Sequence, residues 1–264
     1  METKNMIKKI GIAIKPHAPG IEKILRELMS YLERQGIECL LEELAARQVN
    51  RPGGFQREEL PGLSQAMIVL GGDGTLLSVA AAAARADVPV IGLNLGRLGF
   101  LTEIPVDEAL PVLEAFLKDK NGFISRRTLL EVSYKDQTDL CLNDVVVNKG
   151  ALARMIELQI SINGQEVTRL KGDGIILSSP TGSTAYSLSA GGPIVHPAVE
   201  TIVLTPICPH TLSFRPLLIP AISNIKLKLL TPQEPVYITI DGQRGQALDK
   251  NEIIKPAIGS RINT

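Results

Sequence analysis

Apolar and polar positions follow two different rhythms along the chain. In the first half, short apolar runs alternate with helical patterns. "KKIGIAI" reads as a strand, and "GIEKILRELMSYLERQG" sets Ile21, Ile24, Leu25, Leu28 and Leu32 at helical spacing with Gly36 as a stop. "IECLLEE" predicts a second strand. "ARQVNRPGGFQREELPG" (46–62), polar and marked by Gly and Pro, predicts a surface loop. "AMIVL" predicts a third strand and "VPVIGLNL" a fourth. Between them "LLSVAAAAARA" predicts a helix whose alanines at 80–84 suit a tight helix–sheet contact. This β–α repetition predicts an α/β N-terminal domain with a mostly parallel, Rossmann-like sheet.

Past "KDKNGFIS" (118–125) the rhythm changes to period two. In "RMIELQISINGQEVTRL", Ile156, Leu158, Ile160 and Ile162 alternate with Glu157, Gln159 and Ser161, and Asn163-Gly164 is a type I′ hairpin signal. "NIKLKLL" and "PVYITIDGQ" alternate as well. An all-β antiparallel, sandwich-like domain follows the first. The expected division is 1–120 for the α/β domain and 121–245 for the β domain, with the tail 246–264 packed back on the first.

With 264 residues, 44% hydrophobic and 21% charged, the chain has enough material for a sizeable core. Lys plus Arg equals Asp plus Glu, so the charge balance does not point to a nucleic-acid partner. The apolar stretch "VAAAAARA" is too short to span a bilayer, and "METKNMIKKIGIAI" reads as a lead-in to a strand, not a secretory signal. Cys39, Cys141 and Cys208 are odd in number, far apart and set among apolar residues, which fits buried thiols in a reducing cytoplasm. No spacing suggests a zinc site.

Three stretches carry candidate chemistry. "GGDGT" (71–75) lies between a strand and a helix, where backbone N–H groups and the helix's positive end favour an anion. A Walker loop would add a lysine; here Asp73 stands instead. That carboxylate suits a magnesium ion, a helix cap, or proton transfer from a hydroxyl nucleophile. "KGDGIILSSPTGSTAYSLSAGGPIVHP" (171–197) is dense in Ser, Thr and Gly, which suits a ligand with many polar edges, and Tyr186 offers a face for a base. A Ser/Thr-rich loop with a short capped helix is the structural alternative. In "CLNDVVVNKG", Asn143 and Asp144 interrupt an apolar strand, as a turn or as a ribose clamp.

Together "GGDGT", "NLGRLGFLTE" (94–103), "LNDVVV" (142–147), "GDGIILSSPTGSTAYSLSAGGPI" (172–194) and "DGQ" (241–243) resemble the bacterial NAD kinases, in order across residues ~10 to ~245. "GGDGT" alone is shared with lipid kinases; the long Ser/Thr-rich stretch is far more specific. The resemblance implies transfer of the γ-phosphoryl of ATP, or in some members polyphosphate, to the 2′-hydroxyl of the adenosine ribose of NAD, making NADP. It implies Asp73 as proton acceptor, with Gly72 and Gly74 against the nucleotide. Asn143 and Asp144 match the ribose and base pair of residues, where many members have Asn-Glu. Lys171 stands where many have Arg, so a point charge replaces a fork. Asp173 matches an acid at the nicotinamide end, in some members from a neighbouring subunit. Thr181, Thr184, Ala185, Tyr186, Ser187, Leu188 and Ser189 match the loop around adenine and ribose. Arg154 and Gln243 match outlying contacts, as do Asn94 and Phe100.

The resemblance further implies Mg2+ on the donor phosphates, a homodimer or homotetramer, a cytoplasmic setting, no nucleic acid or membrane partner, and a site in the cleft between the domains. Simpler readings stand beside it. His17, His196 and His210 fit structural loops, with His17 also placed to approach phosphate. Lys149, Lys250 and "LEEL" (41–44) fit solvated surface, and Phe100 equally fits a core. The rival functions are a lipid kinase and a nucleotide-binding sensor without turnover.

Overall fold

The computed structural model describes residues 7–96, 98–119, 124–150, 154–210, 214–230 and 235–264. Part of the expected boundary stretch 118–125, and Arg97 of the second motif, lie outside them. The chain divides into two compact units, Met1–Arg126 with Ile262–Thr264, and Arg127–Arg261.

The first unit carries β1 (Lys9–Ile14), α1 (Ile21–Arg34), β2 (Glu38–Leu41), α2 (Glu43–Gln48), α3 (Leu60–Leu63), β3 (Ala66–Leu70), α4 (Asp73–Ala86), β4 (Val90–Asn94), β5 (Ile104–Pro105) and α5 (Ala109–Lys118). Its sheet runs β2-β1-β3-β4-β5, all parallel. The order reverses between β1 and β3. Doubly wound sheets bind ligands at such a point, outside the carboxyl ends of the strands. The strands "AMIVL" and "VIGLN" are buried at every residue, as parallel strands covered on both faces must be. The alanine run behaves as expected on one side only: Ala80, Ala83 and Ala84 are buried, while Ala81 and Ala82 are half-buried. Helix α4 lies tight on the sheet at Leu76, whose Cδ1 is 3.0 Å from where a Cβ on Gly92 would stand.

Two expectations for this unit are corrected. The stretch 46–62 is not all loop, because Glu43–Gln48 and Leu60–Leu63 are helical. "LEEL" is not solvated at Glu42, which is 3% exposed. Glu42 Oε1 accepts the N–H of Ile14 (2.6 Å), and both its oxygens accept Arg57, from Nε (2.6 Å) and Nη2 (2.9 Å). Arg57 also donates to Ile14 O and to Ser78 Oγ on α4, each at 2.9 Å. A charge can be buried here because every lone pair and donor facing inward finds a partner.

The second unit begins on β6 (Arg126–Tyr134) and continues through β7 (Gln137–Cys141), β8 (Asp144–Lys149), β9 (Ile156–Ile162), β10 (Gln165–Gly172), β11 (Gly174–Ser178), α6 (Tyr186–Ser189), β12 (Thr201–Ile207), β13 (Leu217–Pro220), β14 (Ile225–Leu229), β15 (Val236–Ile240), β16 (Arg244–Leu248) and β17 (Ile253–Asn263). Two six-stranded sheets result, β10-β9-β14-β17-β6-β7 and β13-β12-β11-β8-β15-β16. Residues from both, among them Leu158, Leu227, Val147, Leu177 and Ile238, share one buried cluster. The period-two pattern holds in β9, where Ile156, Leu158 and Ile160 are buried and Ile162 is half-buried. Asn163 and Gly164 both take positive φ (52° and 83°), as the I′ turn requires.

The tail differs from its expected place. β16 pairs with β15, and β17 pairs with β14, so 246–261 belongs to the second unit and only Ile262–Thr264 returns to the first. The alternating apolar residues of "NEIIKPAIGSRIN" fill a sheet position that the β domain leaves open between β14 and β6. Of the cysteines, Cys141 is buried and Cys39 half-buried, but Cys208 is exposed at positive φ. Among the described residues no helix is long and apolar enough to cross a membrane.

Candidate active site

β3 delivers the chain to "GGDGT" at the reversal point of the parallel sheet. Gly71 N–H donates to Leu93 O on β4 (2.9 Å), and Gly72 is the N-cap of α4 with extended φ/ψ. No side chain caps the helix, so the cap reading of Asp73 is set aside. The Asp73 carboxylate turns to the loop after β4 instead. Oδ1 accepts the N–H groups of Leu101 (3.1 Å) and Thr102 (3.0 Å) and the Thr102 hydroxyl (3.0 Å). Among the described residues Oδ2 accepts only the Phe100 N–H, at 2.9 Å. Gly99 lies so close that a Cβ there would stand 2.7 Å from Asp73 Cγ. Asp73 is half-buried, and Gly74 beside it is exposed.

The same loop is held from below by Asn94. Buried at the end of β4, it accepts the Gly96 N–H on Oδ1 (2.7 Å) and donates Nδ2 to Thr102 O (3.1 Å) and Thr102 Oγ1 (3.0 Å). Its side chain is therefore turned inward. Phe100 does the opposite: at 65% exposed it is not core. His17 is exposed at positive φ just past β1.

In the second unit, one end of the buried sheet gathers the start of β8 and the ends of β11 and β15. Ser178 pairs with Asp144, and the Ser179 N–H donates to Asn143 O (2.9 Å). Gly182 packs on Asn143, where a Cβ would meet the Asn143 Cα at 2.6 Å. Asp241, in the turn between β15 and β16, clasps the "LND" backbone. Its Oδ2 accepts the Leu142 N–H (2.9 Å) and its Oδ1 those of Asn143 (2.7 Å) and Asp144 (3.2 Å). Gln243 sits exposed in the same turn.

Most hydroxyls of the 178–189 run point inward. Ser178, Ser179, Ser183 and Ser187 are fully buried and Thr181 nearly so. Ser183 Oγ accepts the Val195 N–H (2.9 Å), and Ser187 Oγ pairs with Thr205 Oγ1 (2.8 Å). These hydroxyls hold the loop's own shape, a 3₁₀ turn at Thr181–Thr184 followed by α6. Outward are Tyr186, Leu188 and Ser189, with Thr184 and Ala185 half-buried.

Lys171 and Asp173 are not at this end. Gly174 pairs with Asn148, and the Lys149 N–H donates to Asp173 O (2.9 Å), five residues along β8 from Asp144. At about 3.3 Å per residue that is roughly 17 Å away. Lys149, expected as solvated surface, pairs with Asp173 Oδ1 at 3.1 Å, and Lys171 lies 3.6 Å from Glu157 Oε2. Arg154 is exposed.

Residues 10–121 match the ATP-NAD kinase N-terminal domain and residues 142–261 the ATP-NAD kinase C-terminal domain. The NAD kinase of Geobacter metallireducens is 44% identical over 254 residues, 94% of this chain and 89% of that protein. The chain belongs to the NAD kinase family. The NAD kinase of Geobacter sulfurreducens is 46% identical, over 92% of this chain and 87% of its own. Yeast NADH kinase complexed with NADH superposes with a TM-score of 0.90 at 31% identity, over 98% of this chain and 83% of that one. An Archaeoglobus fulgidus NAD kinase in complex with ATP gives 0.78 at 26% identity, over 96% of this chain and 92% of that one.

In this NAD kinase chain, Asp144 is 5% exposed, and burial followed by the nearby Asp241 charge pushes its carboxyl up to about 7. Asp241 is also raised by burial, with the three N–H groups opposing. The folded state thus binds the Asp144 proton more tightly than the unfolded chain does. The associated stability is fully present below about pH 4 and is lost as pH rises through about 7, at most about 4 kcal/mol. Asp144→Asn has no such ionisation. Its melting temperature relative to the parent is expected to climb between pH 4 and pH 8; parallel pH curves for the two would refute this.

Gly99, Thr102, Ser179, Gly182 and Asp241 all lie in the motifs that carry the resemblance, yet sequence reasoning gave none of them a role of its own. The Asp-Gly of "DGQ" signals a hairpin turn, not a clasp.

Proposed function

We propose that the chain transfers the γ-phosphoryl of ATP in line to the 2′-hydroxyl of the adenosine ribose of NAD, giving NADP and ADP. The observation that carries the chemistry is the half-buried Asp73 carboxylate at the first turn of α4, with Oδ2 accepting a single donor among the described residues. A carboxylate oxygen has two lone-pair directions, so Oδ2 retains one for the hydroxyl's proton. The start of α4, where Gly72 is half-buried and Gly74 exposed, turns the positive helix end to phosphate oxygens.

Asn143 and Asp144 then take the ribose and base edges, and Tyr186, Thr184, Ala185, Leu188 and Ser189 face the adenosine, the Tyr186 ring supplying a flat surface. Phe100 and Gln243 make outlying contacts, as does Arg154. Asn94 and Ser187, whose side chains bond to Thr102, Gly96 and Thr205, serve by shaping the loops that make contact, as does Thr181 in the 3₁₀ turn. Lys171 and Asp173, at the far end of β8, fit a role at a neighbouring subunit's site in a homodimer or homotetramer. We place the enzyme in the cytoplasm.

Among the described residues no three or more His, Cys, Asp or Glu gather as a cation cage. Magnesium commonly keeps several of its waters and binds substrate phosphates, so it would ride on the donor phosphates and leave Asp73 to the proton. When bound, the ion neutralises phosphate charge.

The test is a turnover assay with NAD and with its 2′-deoxy-adenosine analogue, each with ATP and with polyphosphate. NADP from NAD and no phosphorylated product from the analogue are expected. Phosphate on another hydroxyl would overturn the assignment.

A further inference from the structure

We infer that Thr102 is a positioning residue for the phosphoryl-transfer reaction, orienting Asp73 so that Oδ2 faces the substrate. The inference rests on the reading of Asp73 as proton acceptor.

The direction of each hydrogen bond follows from chemistry. Asn94 Oδ1 accepts the Gly96 N–H, so Nδ2 faces Thr102; flipping the amide would set oxygen against the Thr102 carbonyl. An amide nitrogen only donates, so Thr102 Oγ1 must accept from Asn94 at 3.0 Å. The one hydroxyl proton of Thr102 is then left for Asp73 Oδ1, also 3.0 Å away. The relay runs Asn94 to Thr102 to Asp73, and Thr102 at its centre is fully buried.

The consequence falls unequally on the two carboxylate oxygens. Oδ1 has three donors, two of them from Thr102, which exhausts its lone pairs. Among the described residues Oδ2 has the Phe100 N–H alone. The oxygens are chemically equal in a free carboxylate; the loop makes them unequal. Gly99 permits this by its close approach to the carboxylate, and the relay keeps the group from turning over.

The experiment compares pH–rate profiles of the full-length chain with Thr102→Val and Thr102→Ser. Valine keeps the shape but deletes a donor that stabilises the ionised carboxylate. The acidic limb of kcat/KM should then move to higher pH by about one unit, plateau kcat should fall about tenfold, and KM for NAD should stay within about twofold. Serine keeps the hydroxyl and should restore the parent limb. A purely structural threonine predicts a lower melting temperature with an unmoved limb. An unmoved limb in folded Thr102→Val, or a moved one in Thr102→Ser, overturns the inference; Thr102→Ala, which also deletes the hydroxyl, is held to the same outcomes if the valine variant does not fold. Asp73→Asn run alongside separates the two readings. If it keeps turnover, the proton-acceptor reading fails; if it is inactive and Thr102→Val keeps the parent profile, only the Thr102 inference fails.

Discussion

Asp73→Asn is expected to lower turnover by about 10²–10⁴-fold, the usual cost of losing a positioned general base. The substitution deletes the basic oxygen with little change of shape. It does not leave the loop untouched. If the amide oxygen takes the Oδ1 place, the new NH2 group meets the Phe100 N–H, donor against donor, where Oδ2 accepted it at 2.9 Å. One of the four contacts is lost, so a modest drop in melting temperature accompanies the kinetic effect. The KM for NAD should change less than tenfold, because the bonds from Leu101 and Thr102 survive. Steady-state kinetics with a melting curve on the same preparation check this. Turnover near that of the parent would leave Asp73 as a loop anchor only.

The second large effect is expected at Asp241. Its carboxylate is the acceptor for three consecutive backbone N–H groups, those of Leu142, Asn143 and Asp144. Asp241→Ala leaves all three without that partner. An unsatisfied buried donor costs about 1–3 kcal/mol, and water entering the gap recovers part of it, so a net loss of about 3 kcal/mol is expected. The KM for NAD should rise together with it, since Asn143 and Asp144 lose their seat. Asp241→Asn keeps one acceptor oxygen and removes the charge that helps push the Asp144 carboxyl up, so its loss should be smaller. Denaturant unfolding of the three proteins at pH 7 measures the series. An alanine variant within about 0.5 kcal/mol of the parent would mean that the "LND" segment is held by other means.

The elements of this fold were legible because they are local. Helix α1 declares itself through Leu25, Leu28 and Leu32, β9 through alternation, and the following turn through Asn163-Gly164. The change from a helical period to a period of two marks the change from one kind of sheet to the other. The resemblance marked the candidate segments, since "GGDGT" and the Ser/Thr-rich run are each contiguous in sequence. What pattern could not reveal is direction. A serine turned into the loop, such as Ser183 or Ser187, and a serine turned out, such as Ser189, are the same letter. Glu42 looked like any surface acid because its partner Arg57 stands 15 residues away across a stretch read as loop. Asp73 reaches 27 to 29 residues ahead, and Asp241 reaches back 97 to 99. Such pairings are settled by the folded chain, where a buried charge must find donors and glycine admits an approach that other residues forbid.

The buried Glu42–Arg57 pair bears on how this chain can change over time. Losing Arg57 alone strands the buried Glu42 carboxylate, a cost of up to about 3–5 kcal/mol, whereas losing Glu42 leaves an arginine that is partly exposed and costs less. Swapping both for apolar residues is far less costly to the core, yet it also removes the donors that Arg57 sends to Ile14 O and Ser78 Oγ. The low-cost path and the single-step path are therefore different paths. A change that starts at Arg57 passes through a less stable intermediate, while one that starts at Glu42 has the gentler first step, so the order of substitution decides which route stays folded.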